Sequence, residues 1–155
     1  MRAPFFSQPH KIPELLAAAQ SWIGTPFRPH ASIKGAGVDC VHLAFEIYRE
    51  CRFHFTFDPP KYSMDGGRHL KMSKVIAWLE QSDSFDPVVG DTMPGDLLLF
   101  NMGRVDHHVG VKLEGTRFIN AINRYGVREL DLMDPTWRCR FTVAYRPMEY
   151  FFSPA

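Results

Sequence analysis

The chain has 155 residues, of which 18 are Lys or Arg and 17 are Asp or Glu, so its formal net charge at pH 7 is +1. With 45% hydrophobic and 23% charged residues, it has the composition of a folded globular domain rather than of a disordered segment. The near-neutral charge and the absence of a Lys/Arg run argue against nucleic acid and against a polybasic membrane contact. We expect a single domain over residues 1–155, because this length suffices for one core without metals or disulfides.

Cysteine usage and the apolar stretches limit the function further. The three cysteines, Cys40, Cys51 and Cys139, are odd in number and form no zinc-like cluster with histidines. The first residues lack the apolar region of a signal peptide, and no apolar stretch has the length of a membrane span. We therefore expect no metal or other cofactor, no membrane span, and a protein that is made in the cytoplasm.

The predicted elements are helices first and strands second. Apolar spacing predicts helices at residues 12–22, 40–50 and 70–81, with a loop over 27–37 before the second helix. Five short strands follow, at residues 97–100, 108–113, 117–122, 126–130 and 141–145. This order predicts an α+β domain with an antiparallel sheet.

Cys40 is the first candidate functional residue, because it opens the second predicted helix directly after Asp39, a predicted N-cap. A helix N-terminus and a nearby imidazolium both stabilise a thiolate, which is the reactive form of cysteine. The alternative is a buried structural cysteine, since free cysteine also behaves as a small apolar residue. Cys51 and Cys139 have no such context and are predicted to be structural.

The alternation of the strand at 108–113 distinguishes two adjacent histidines. Val109 and Val111 share one face, which would pack on the core, whereas His108 and Gly110 share the other. His108 is therefore the better candidate base, and His107 has core-facing parity or lies in the preceding loop. Asn120 on the next strand offers an amide oxygen that would hold the second ring nitrogen, which gives a Cys-His-Asn set.

Five motifs occur in an order that resembles the NlpC-type family of papain-like cell-wall peptidases. They are Trp22-Ile23-Gly24-Thr25-Pro26-Phe27, Lys34-Gly35-Ala36-Gly37-Val38-Asp39-Cys40, Pro94-Gly95-Asp96-Leu97-Leu98-Leu99-Phe100, His108-Val109-Gly110-Val111 and Arg117-Phe118-Ile119-Asn120-Ala121. The second motif is similar to the segment that precedes the nucleophilic cysteine in the phage and gene-transfer-agent branch of that family. The resemblance covers residues 12–147.

The resemblance implies a papain-like α+β fold in which N-terminal helices, including the nucleophile helix, pack on an antiparallel sheet. It implies Cys40 as nucleophile, His108 as base and Asn120 as the residue that orients the base. The implied substrate is the stem peptide of peptidoglycan or a muropeptide, cut between a γ-D-glutamyl residue and the following diamino acid through a thioester. Four neighbours are the predicted substrate-binding residues: Phe27, His30, Asp39 and His107.

The sequence departs from the apparent relatives at several positions. Asn120 stands where many have histidine, and Val41-His42 replaces a small pair after the nucleophile. Phe27 lacks the hydroxyl of the more usual tyrosine, and Pro29 stands where the phage-like branch commonly has histidine. Two other functions remain open: an amidase or acyltransferase with the same Cys-His pair, and a non-catalytic component of a phage-like tail. The branch also implies phage-tail-like partners and a place in a virion or tail.

Overall fold

The computed structural model describes residues 2–55, 68–102 and 105–150, with side chains described for all of these except 68–74 and 105–107. The helices in these residues are Lys11–Trp22 (α1), Cys40–Glu50 (α2), Arg68–Gln81 (α3) and Pro135–Arg138 (α4). The strands are Arg2–Pro4 (β1), Ser32–Ile33 (β2), Gly37–Val38 (β3), Phe85–Pro87 (β4), Leu97–Met102 (β5), Val105–Lys112 (β6), Arg117–Ile122 (β7), Gly126–Asp131 (β8) and Phe141–Tyr150 (β9).

Seven of these strands form one sheet in the order β1-β9-β5-β6-β7-β8, with β4 also paired to β9, and all of its pairs are antiparallel. The predicted α+β class with an antiparallel sheet is thus confirmed. The predicted helices and five strands are present, with β9 longer than expected. The segment at 27–37, predicted as a loop, contains the small β2-β3 hairpin.

One face of the sheet packs in the main core against α1, α2 and the short helical turn at Phe5–Ser7. The helix α2 presents Leu43, Ala44, Ile47 and Tyr48 to it, and β6 presents Val109 and Val111. This matches the apolar spacing of α2 and the predicted core face of β6. The helix that begins at Cys40 therefore lies on the sheet, as predicted.

The opposite face of the sheet is also covered, which the alternation of β6 did not predict. A second core of Leu98, Phe100, Phe118, Trp137 and Ala144 packs there, with Trp137 supplied by the short helix α4. Because of this cover, the face of β6 that carries His108 and Gly110 is largely buried. Lys112, on the same face, is only 4% exposed. No helix among the described residues has both the length and the apolar character needed to cross a membrane.

Candidate active site

Asp39 fixes the start of α2, the helix that begins at Cys40. It is fully buried, and its Oδ1 accepts the backbone N–H of His42 at 2.8 Å, which is the predicted N-cap. Its Oδ2 accepts the backbone N–H of His30 at 2.7 Å, and His30 has the left-handed φ of 63°. One carboxylate thus joins the loop before Cys40 to the helix that Cys40 begins.

The sulfur of Cys40 lies against the sheet at the residue that follows His108. The backbone N–H of Val109 donates toward this sulfur, as do the N–H groups of Val41 and of Cys40 itself. The strands β6 and β7 pair at Val111 with Ile119 and continue from there toward Lys112, away from His108. The sequence-distant segments around Cys40 and His108 are therefore brought together.

Cys40 is a neutral thiol at neutral pH in this structure. Burial, with a further contribution from the negative charge of Asp39, raises the pKa of the Cys40 thiol to about 12. The N–H groups of Val109, Val41 and Cys40 act in the opposite direction but are outweighed. Burial therefore outweighs the stabilisation that the helix N-terminus gives to a thiolate.

His108 lies on β6 opposite Phe100, on the face of the second core. Its ring centroid is 6.1 Å from that of Trp137, in an edge-to-face arrangement. Burial lowers the pKa of His108, so its imidazole is neutral at neutral pH. Its Nδ1 is buried and has no hydrogen-bond partner among the described residues.

Asn120 lies on β7 beside Gly110, on the strand that neighbours His108. It is fully buried, and a Cβ built on Gly110 would be 3.5 Å from the Cβ of Asn120. Its Oδ1 and Nδ2 likewise have no hydrogen-bond partner in the described part of the chain. Buried polar atoms are nearly always paired in proteins, so His108 and Asn120 retain unused hydrogen-bonding groups. The predicted bond between their side chains is therefore not formed in this structure.

The predicted substrate-binding residues differ in their placement. Phe27 is half-buried, bridges to Val38 and packs against the main core, whereas His30 is exposed. Asp39 has the cap role described above, and its complete burial does not favour direct contact with a substrate. The backbone of His107 belongs to β6, but its side chain lies outside the described part of the structure.

Two residues near the site were not predicted to have a role there. The Nδ1 of His42 lies 2.8 Å from Asp39 Oδ1 and 3.0 Å from Asp39 Oδ2. The three-residue spacing between Asp39 and His42 on a helix start is a signal that sequence alone could have shown. Trp137, by contrast, reaches His108 only through the tertiary fold. Within residues 2–55, 68–102 and 105–150, no group of three His, Cys, Asp or Glu side chains is arranged to hold a metal ion.

A cysteine at the start of a helix that packs on an antiparallel sheet, beside a histidine-bearing strand, defines the α+β arrangement expected of papain-like proteins. The chain belongs to the NlpC/P60 family, whose model matches residues 24–146. It is 26% identical over 125 residues to the Escherichia coli protein "Murein DD-endopeptidase MepS/Murein LD-carboxypeptidase", covering 81% of this chain and 57% of that protein. It is 27% identical over 129 residues to the E. coli "Probable endopeptidase NlpC", covering 82% and 72%. The chain thus spans just over half the length of the first of these relatives.

Solved structures show the same fold. An NLP/P60 family protein from Staphylococcus aureus, described as similar to a lipoprotein, superposes with a TM-score of 0.60 at 20% identity, covering 94% of this chain and 44% of that one. The NlpC/p60 domain of the peptidoglycan hydrolase SagA superposes with a TM-score of 0.54 at 20% identity, covering 85% and 95%.

Proposed function

We propose that this chain is a cysteine peptidase that hydrolyses the stem peptides of peptidoglycan or muropeptides. The observation that supports it most is the placement of the Cys40 sulfur at the N-terminus of α2, at the backbone of the residue after His108. Membership of a family whose E. coli relatives are named murein endopeptidase and probable endopeptidase supports the substrate class. The bond we propose joins a γ-D-glutamyl residue to the following diamino acid.

The proposed reaction begins from two neutral groups, since burial favours the neutral forms of both Cys40 and His108. The neutral imidazole of His108 accepts the thiol proton as the sulfur attacks the amide carbon, which forms a thioester and expels the amine. The imidazolium gives its proton to that amine. His108 then takes a proton from water, which attacks the thioester and releases the acid and the Cys40 thiol.

Asn120 is proposed to orient the imidazole during this cycle through its amide oxygen, which has no hydrogen-bond partner among the described residues. Backbone N–H groups at the start of α2 are proposed to stabilise the oxyanion, because they already point toward the sulfur of Cys40. Phe27, His30 and His107 remain candidates for contact with substrate.

The test is hydrolysis of a γ-D-glutamyl-diamino acid peptide, monitored by the release of free amine. Cys40→Ala and His108→Ala should abolish turnover, whereas Cys51→Ala, which removes the buried thiol that follows the last turn of α2, should retain it. Turnover that survives Cys40→Ala would overturn the proposal. Cys40-dependent hydrolysis of another acyl substrate, with no amine released from the peptide, would instead identify an amidase or acyltransferase.

We also propose that the chain belongs to the phage and gene-transfer-agent branch and acts together with tail-like proteins. The support is the sequence Lys34-Gly35-Ala36-Gly37-Val38-Asp39-Cys40, in which the β2-β3 hairpin leads into α2. The proposed place of action is a virion or tail, after synthesis in the cytoplasm. Co-sedimentation of the tagged protein with purified tail-like particles tests this, and its absence from such particles would contradict it.

A further inference from the structure

Beside the nucleophile there is a buried acid-histidine pair that the proposed reaction does not use. Asp39 is fully buried, and the ring of His42 places Nδ1 at 2.8 Å and 3.0 Å from its two oxygens. The side chain of His42 is 23% exposed, whereas the side chain of Asp39 is fully buried. Residues 39 and 42 flank Cys40 on the first turn of α2.

Asp39 has two opposed effects on its neighbour. It caps α2 through the N–H of His42 and holds the loop through the N–H of His30. Its negative charge also opposes ionisation of Cys40, acting in the same direction as burial. A buried carboxylate next to a sulfur that must become negative during catalysis therefore needs a counter-charge.

We propose that His42 is a positioning residue for the nucleophile: its imidazolium, bonded to Asp39, neutralises the cap so that Cys40 can lose its proton next to it. This inference rests on the proposed role of Cys40 as nucleophile. It assigns a purpose to the histidine that replaces a small residue in the motif after the cysteine.

The charges around His42 are consistent with a protonated ring. The bond to Asp39, helped by the negative charges of Asp39 and Glu46, raises the pKa of His42, against the effects of burial and of Arg49. Among the elements packed on α2, the loop at 27–37 contributes His30, which bonds Asp39 through its backbone, and Lys34, which pairs with Glu50. Helix α1 contributes Lys11 and Glu14, which pair with each other. Among the side chains of β6 that the structure describes, His108 and Lys112 are titratable.

The test is the rate at which iodoacetamide alkylates Cys40, measured between pH 5.5 and 9 on the full chain by peptide-resolved mass spectrometry. His42→Gln keeps a hydrogen-bond donor for Asp39 but removes the charge. At the acid end of this range we expect a rate about ten-fold lower than in the wild type, equivalent to about one pKa unit on the sulfur. As pH rises through the raised pKa of His42, the wild-type ring becomes neutral and the ratio of the two rates should approach one.

Controls separate charge from geometry. His10→Gln makes the same chemical change at the start of α1 and should leave the ratio at one throughout. In an Asp39→Asn background, His42→Gln should have no effect, because there is no charge left to neutralise. The proposal would be overturned if the ratio of the His42→Gln rate to the wild-type rate were one at all pH values. A ratio below one that stayed the same at every pH would also overturn it.

A second measurement needs no variant at position 42. NMR titration of the wild-type histidine rings should show His42 with a pKa above 6.5 that falls in Asp39→Asn, and a value below 6.5 would also overturn the proposal. These outcomes are independent of the peptidase assay. Hydrolysis that survives Cys40→Ala would refute the nucleophile but would leave the alkylation ratios as measured.

Discussion

Arg146 on β9 binds Asp96 through two hydrogen bonds of 2.9 Å, one from Nε to Oδ1 and one from Nη2 to Oδ2. Asp96 directly precedes β5, is fully buried and also accepts the N–H of Met93. The adjacent Gly95 has φ of 94°, and its carbonyl accepts the hydroxyl of Tyr48 from α2. The Pro94-Gly95-Asp96 turn therefore joins the sheet to the nucleophile helix.

Asp96→Asn should destabilise the protein by about 3–5 kcal/mol, because it leaves the Arg146 guanidinium without its buried partner. The measurement is the free energy of unfolding from urea denaturation. Asp86→Asn is the matched control, since Asp86 pairs with Arg2 at 2.7 Å but is 42% exposed. That change should cost no more than about 1 kcal/mol, and equal costs at the two sites would show that burial of Asp96 is not what makes its ion pair important.

The sequence predicted the helices and central strands because their apolar spacing is local information. The strands β1 and β4 are too short to show a period, and they exist because β9 provides an edge for each. The second core was not predicted either, since it depends on Trp137 returning to Phe100 and Phe118 from a distant part of the chain. Alternation along one strand shows two faces but not what covers each.

The members of the candidate site remain predictions from the sequence, and its electrostatics could not be predicted. Cys40, His108 and Asn120 follow from motif and parity, and the fold brings their segments together. The direction of the pKa shift of Cys40 could not be predicted, because burial is set by packing of the whole domain. The contact between the ring of His42 and the Asp39 carboxylate was not predicted, because the cap role of Asp39 already explained its position.

Asn120→Ala should change the free energy of unfolding by less than about 1 kcal/mol, because no described partner is left unpaired when the buried amide is removed. Turnover should nevertheless fall by about ten-fold or more, since the imidazole loses the residue proposed to orient it. Thr25→Val is the comparison, because buried Thr25 accepts the N–H of Gly35 at 3.0 Å and should cost about 1 kcal/mol without lowering turnover. A large loss of stability in Asn120→Ala would indicate a structural role instead.

Gly110→Ala should lower both stability and turnover. The new methyl group would lie 2.9 Å from Phe118 Cδ2 and 3.0 Å from the carbonyl oxygen of Ile119, which forces β6 away from β7 at a cost of about 1–3 kcal/mol. Gly115→Ala in the turn between the same strands meets open space, with strain only from its φ of 59°. It should leave kcat unchanged, and an equal loss of kcat in both variants would show that crowding at Gly110 is not the cause.

Alkaline pH should destabilise the protein through its buried thiols. Burial raises the pKa of both Cys40 and Cys51 from 9.0 to about 12, so the unfolded chain loses these protons first. The free energy of unfolding that comes from keeping these thiols protonated is fully present below pH 9. It is lost as pH rises from 9 toward 12, by about 1.4 kcal/mol per pH unit for each thiol. Urea denaturation between pH 8 and 10.5 measures the slope, which should be shallower in Cys51→Ala, and an unchanged slope would contradict ionisation of Cys51.

His30, which has a left-handed backbone, connects the loop at 27–37 to the start of the helix that carries Cys40. Asp39 holds this strained residue and caps α2 with the same carboxylate, so the loop and the first turn of the helix are joined at one side chain. We therefore expect a ligand that displaces the loop to displace the Cys40 sulfur as well. Substitutions at exposed His30 that free this backbone, such as His30→Gly, should then lower kcat as well as raise KM, although the side chain makes no contact with the reacting bond.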